Sequence, residues 1–97
     1  MKAITIKGTI VRLDEIQNDL RTLQMAVDGR IETVGLRDGG VMIVDEESQI
    51  KGKPYNTLAS LVAGTAIYGI ALIVGADEDE FCDVPETYLH LLHCGEV

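Results

Sequence analysis

The sequence predicts an α+β fold: a mostly antiparallel sheet of four- to five-stranded size with two or three short helices packed on it. Three observations predict it. Apolar residues alternate at a period of two in several short runs, the spacing of half-buried strands. The period lengthens to a helical one only briefly, around Leu20, Leu23 and Val27 and again after Asn56. The runs are joined by short Gly-bearing turns, which suit hairpins rather than crossovers.

Residues 2–7 read as the first strand, with Ile4 and Ile6 on one face and Thr5 and Lys7 on the other. Gly8-Thr9 can turn the chain, so that Ile10 to Leu13 pairs back. Ile16, Leu20, Leu23 and Val27 then form one helical stripe. Asn18 is placed as its cap and Gly29 as the left-handed residue that stops it. A helix this short needs a sheet to pack on.

Arg30 to Leu36 and Val41 to Asp45 read as a hairpin around Arg37-Asp38-Gly39-Gly40. Val41 to Val44 is apolar at every position, which suits a central strand. Asp45 to Gln49 is a polar turn. Ile50 to Asn56 (IKGKPYN) is a loop, because Gly52 and Pro54 break regular structure. Asn56 caps a helix over Thr57 to Ala63. Ala66 to Val74 is the most apolar strand, which places Ile70 in the core and Gly69 at a bulge. Asp77 to Glu80 is an acidic turn, and Pro85 opens a last helix that carries Tyr88, Leu89 and Leu92 to about His93. No linker or repeat divides residues 1–97, so they read as a single domain.

Composition excludes several functions. The net charge of −8 repels phosphodiester backbones, so nucleic acid is not an expected partner. It suits solubility, a basic protein partner, or imitation of nucleic acid. The rings are few, Tyr55, Tyr68, Phe81 and Tyr88, too few for a base-stacking platform. Cys82 and Cys94 make no disulfide framework, and Met1 to Lys7 lacks the apolar core of a signal peptide. Both point to a reducing, cytosolic compartment. Pro54 to Ala76 carries no charge over nearly a membrane's length, but Gly64, Gly69 and Gly75 with Thr57, Ser60 and Thr65 dilute it. No membrane association is expected.

No GxSxG, Walker, CxxC or HExxH motif is present. The reading is therefore not an enzyme, with no catalytic residue, no metal site and no cofactor. The alternative is a small metal-dependent hydrolase built on Glu86, His90 and His93, with Cys82 and Cys94 nearby in sequence. A two-His spacing is weak support, and ordinary residues on a terminal helix explain it as well. Asp77-Glu78-Asp79-Glu80 lacks the alternating ligands and central Gly of a calcium loop, so it reads as a solvated turn.

The IKGKPYN loop is the candidate ligand site: Lys51, Gly52, Lys53, Tyr55, Asn56 and Thr57. It holds both basic residues of the second half and leads into a helix start, where free N–H groups favour anions. Tyr55 could cover a ring. The plainer reading gives Lys51 and Lys53 to solvent and Asn56 to capping alone.

Three segments together resemble a known family: NDLRTLQMAVDGRIETVGL, VMIVDEESQIKGKPYN and IALIVGADEDEF. Leu23 and Gln24, Gly29, Ile31 and Glu32, Glu46 and Glu47, then Gly52, Pro54, Asn56 and Gly75 fall in the pattern of the DUF3846 family. The likeness spans about residues 2–92. Ser48 stands where the family often has Gly, and Lys53 where it often has an apolar residue, so ligand contacts do not carry over at that loop. The resemblance implies a small α+β protein of phages, plasmids and gut-bacterial mobile elements, with no catalytic residues. It raises an anti-defence role by analogy of setting.

The expected function is a non-catalytic accessory binding protein. It would dock on a host defence protein, with nucleic-acid mimicry as one route, or sequester a small nucleotide signal beside IKGKPYN. A housekeeping structural module stays in reserve, and a homo-oligomer is left open.

Overall fold

In the computed structural model, which describes residues 1–93, the chain opens with a hairpin. Strands β1 (Lys2–Lys7) and β2 (Ile10–Glu15) pair antiparallel from Lys2↔Glu15 to Lys7↔Ile10. Gly8 turns the chain at a φ of +60°, a conformation that L side chains rarely adopt. Helix α1 (Leu20–Val27) follows, then a second hairpin of β3 (Ile31–Gly35) and β4 (Gly40–Asp45). Helix α2 (Thr57–Ala63) leads to β5 (Ala71–Asp77), the short β6 (Glu80–Cys82) and a C-terminal 3₁₀-helix (Glu86–His93).

Among the described residues the strands form one six-stranded antiparallel sheet in the order β2-β1-β5-β4-β3, with β6 paired to β5. The α+β class expected from the sequence is the observed one. Both faces of the sheet are covered. On one, α1 sets Leu23 and Val27 against Ala3, Ile43, Leu72 and Val74. On the other, Ala59 from α2 and Tyr88 and Leu91 from the 3₁₀-helix pack on Ile4, Ile6, Met42 and Ile73. Alternation along β5 sends Leu72 and Val74 one way and Ile73 the other, so the most apolar strand sits mid-sheet.

Several boundaries differ from the sequence reading. Asp19, not Asn18, caps α1: its Oδ1 accepts the Thr22 N–H at 2.7 Å, while Asn18 Nδ2 donates to the Phe81 carbonyl at 2.8 Å. The left-handed residue ending α1 is Asp28 (φ 56°), not Gly29. Strand β5 starts at Ala71 rather than Ala66. Before it, Asn56 N–H bonds to Ile67 O at 2.8 Å and Gly69 N–H to Pro54 O at 2.7 Å, folding residues 67–69 back on the loop. Gly69 (φ +79°) therefore precedes the strand, and Ile70 is half-buried, whereas Ile67 is buried at 4% exposure. The acidic segment is not all turn: Asp77 pairs with Glu80 across a tight β5–β6 hairpin. The last helix is of the tighter 3₁₀ type, and it buries Tyr88 and Leu91 more deeply than Leu89 and Leu92. Among the described residues no helix is long and apolar enough to cross a membrane.

Candidate functional site

The loop from Asp45 to Asn56 closes one end of the sheet, against the C-terminus of α1. A helix end leaves carbonyls without partners. Gly29 N–H takes Gln24 O at 3.0 Å, but the carbonyls of Val27 and Asp28 point at the loop. Lys53 Nζ donates to both, at 2.9 and 2.8 Å, and Lys51 Nζ reaches Asp28 O at 3.1 Å. Two ammonium groups thus cap the negative end of the helix dipole.

Asp45 ends an otherwise apolar strand, and its carboxylate is buried at 1% exposure. Oδ2 lies 2.7 Å from Lys53 Nζ and 2.9 Å from Lys51 Nζ, and Oδ1 accepts the Glu47 N–H at 2.9 Å. Burial pushes its pKa up, but the hydrogen bonds from Lys53, Lys51 and Glu47 outweigh it and hold it at about 2. The Lys51 pKa is raised, first by its hydrogen bond to Asp45. A β-carbon on Gly29 would sit 2.3 Å from Asp45 Cγ, so only glycine leaves room for the carboxylate. That close approach, rather than a left-handed backbone, accounts for this glycine.

The sequence-predicted ligand residues divide three ways. Lys53 turns inward while Lys51 stays partly exposed; both ammonium groups bond to Asp45 and to carbonyls of α1, and Asp28 adds a second carboxylate 3.7 Å from Lys53. Asn56 is buried: Oδ1 accepts the Ala59 N–H at 3.1 Å, and Nδ2 donates to Ile6 O at 3.0 Å and Gly69 O at 2.8 Å. It caps α2 and ties it to β1. Tyr55, Gly52 and Thr57 are exposed. Gly52 makes the turn at a φ of +71°, and Tyr55 lies edge-on to Tyr68 with ring centroids 5.4 Å apart. Lys53, Pro54, Tyr55 and Asn56 line a cavity of about 240 Å³ together with Lys7 and Ile70. Lys7 supplies a cation there that makes no ion pair among the described residues.

The sequence reading missed Asp45. Its signal is the first acid of Asp45-Glu46-Glu47, which closes the buried run VMIV and so belongs to the strand as well as to the charged turn. The reading also missed a larger cleft of about 650 Å³ on the opposite face, between the β3–β4 hairpin, the end of α2 and the 3₁₀-helix. Tyr88 reaches across its floor and donates its hydroxyl to Arg37 O; burial raises the pKa of that hydroxyl. His90 also lines this cleft, with Nδ1 2.7 Å from Thr87 O. Among the described residues no three His, Cys, Asp or Glu side chains gather closely enough to hold a metal ion. Cys94, named beside His90 and His93 from the sequence, lies outside the described residues.

The profile of the family described as Domain of unknown function (DUF3846) matches residues 1–93. The chain belongs to the DUF3846 family. No curated protein and no solved structure matches it. The match takes in every described element of this DUF3846 domain, from β1 to the 3₁₀-helix, and with it the Asp45 cluster and the IKGKPYN loop.

Proposed function

We propose that this DUF3846 protein is a non-catalytic accessory protein of a phage or mobile element that docks on a host defence protein. The observation that carries this reading is a concentration of carboxylates at one end of the sheet. Glu15 ends β2 there, Asp19 caps α1 beside it, Asp77 to Glu80 form the β5–β6 hairpin, and Asp83 follows; all are exposed. The group is held together. Asn18 Nδ2 is bonded to Phe81 O, and Lys2 N–H donates to Asp83 Oδ1 at 2.9 Å. A hairpin carrying one sign of charge attracts a basic surface and speeds encounter with it. A host protein that normally grips nucleic acid offers such a surface. The mobile-element setting rests on the family resemblance, an analogy of setting.

Sequestration of a small nucleotide is the second reading, and the cavity beside Tyr55 and Lys7 favours it. The bonds of Lys51 and Lys53 to Asp45 and Asp28 weaken it, because their charge is already engaged within the chain.

The test starts from affinity capture from a bacterial lysate, using wild type and a variant carrying Asp77→Asn, Glu78→Gln, Asp79→Asn and Glu80→Gln. A captured protein is then purified and titrated with both. The reading expects at least tenfold weaker binding by the variant, about 1.4 kcal/mol, and loss of affinity as salt rises. Equal affinity of the two, or retention of a nucleotide with no protein partner, overturns it.

A further inference from the structure

We infer that β2 is an interface strand on which a second copy of this chain pairs, extending the sheet across a two-fold axis through Leu13. Strand β2 lies at the end of the sheet order, and among the described residues no strand pairs with its outer edge. Such an edge is a template for another chain unless Pro, a bulge or unmatched charge blunts it. IVRLDE contains no Pro, keeps an unbroken register with β1, and carries charges of both signs, Arg12 against Asp14 and Glu15, which a suitable partner can match. Its apolar side chains are not fully used by the monomer: Ile10 is 53% and Leu13 44% exposed.

The hydrogen-bond phase defines which groups the edge offers. Ile16 N–H bonds to Met1 O and the Met1 amine to Ile16 O, each at 2.8 Å, so Met1 and Ile16 form a doubly bonded pair. Antiparallel pairs alternate between bonded and non-bonded. Asp14, Arg12 and Ile10 therefore spend their backbone groups on β1. Val11, Leu13 and Glu15 aim theirs outward.

Charge selects the register. An antiparallel copy must place residues of the same face opposite each other. Centring the axis on Arg12 would set two guanidinium groups together. Centring it on Leu13 sets each Arg12 opposite the partner's Asp14 and joins Leu13 to its own copy. Val11 then faces Glu15. The doubly bonded pairs are those whose N–H and C=O already point outward. Arg12 and Asp14 fall at the non-bonded positions, where side chains come closest. Within one chain the two make only a marginal contact of 3.5 Å. The opposite edge, β3, reads IETVG and has no such self-complementary pair of charges. The resulting contact is isologous and closes at two chains.

The experiment is sedimentation of the full chain over a concentration series, with charge exchange and cross-linking. Wild type sediments as a dimer at high concentration. Arg12→Asp or Asp14→Arg alone places like charges opposite each other and weakens dimerisation at least tenfold, with the fold checked by circular dichroism. Combining both restores the dimer. Independently, Leu13→Cys in a Cys82→Ser, Cys94→Ser background oxidises to a covalent dimer, because bonded antiparallel pairs hold Cα atoms about 5.5 Å apart, within disulfide reach. A wild type that stays monomeric at millimolar concentration overturns the inference. So do single reversals that dimerise like wild type, or a Leu13→Cys chain that does not cross-link.

Discussion

Gly29 and Asp45 are in contact across the end of the sheet: a β-carbon on Gly29 would stand 2.3 Å from Asp45 Cγ and 2.3 Å from its Oδ1. The carboxylate is held in that space by Lys51 and Lys53, whose ammonium groups also bond to the carbonyl of Asp28 next to Gly29. Helix α1, strand β4 and the IKGKPYN loop are thereby joined at one buried anion.

Asp45→Asn should destabilise the protein by about 3 kcal/mol, since removing one partner of a buried pair leaves the other uncompensated. The effect has a pH signature. Asp45 is held at about 2 against an ordinary 3.8, so its folded pKa is depressed. Its contribution, about 2 kcal/mol, is fully present well above the unfolded value and lost as pH falls from about 4 through about 2. Urea unfolding of both proteins across that range measures it. A gap between them that stays constant down to pH 2 would contradict the assignment.

Gly29→Ala should cost more than about 2 kcal/mol, because backbone and a buried carboxylate must move apart. In the Asp45→Ala background the same change should cost far less, since the obstructing group is gone. Additive losses in that double-mutant cycle would mean that Gly29 is required for some other reason.

Asn56→Ala should cost about 3 kcal/mol rather than the roughly 1 kcal/mol of a lost cap. The excess comes from Ile6 O and Gly69 O, which lose the donor that Nδ2 supplies. Thermal unfolding provides the measurement, and a loss no larger than that of an exposed cap would rule out the buried pair of bonds.

Ile73→Asp should abolish folding, because Ile73 is fully buried beneath α2 and the 3₁₀-helix. Ile70→Asp should be tolerated with partial loss, since Ile70 faces the cavity beside Tyr55. Equal expression and melting of the two variants would show that β5 begins earlier than Ala71.

The fold was legible where its signals are local. Asn56 with an apolar stripe behind it defined α2 to the residue, and Gly8-Thr9 defined the first hairpin. It was less legible where composition is shared by two conformations. Ala66 to Ile70 is as apolar as a strand, but Pro54 O and Asn56 N–H hold it in a loop, and nothing in its own residues reports those partners. Asn18 and Asp19 are both good caps, and the choice depends on Phe81 O, far along the chain. The candidate site suffered most. Lys51 and Lys53 look like free charges in IKGKPYN. Their partners lie on α1 and at the end of β4, and the sequence marks only one of them, the acid that directly follows an apolar run.

The assignment of the loop lysines to folding rather than to a ligand is tested most directly by one paired measurement on Lys51→Ala with Lys53→Ala. Its melting temperature is compared with that of wild type, and both are titrated calorimetrically with nucleotides and cyclic nucleotides. The account predicts a clear drop in melting temperature, since the carboxylate of Asp45 and the end of α1 lose their donors, and no nucleotide binding that depends on the lysines. An unchanged melting temperature, together with nucleotide binding by wild type that the double variant loses, would contradict it.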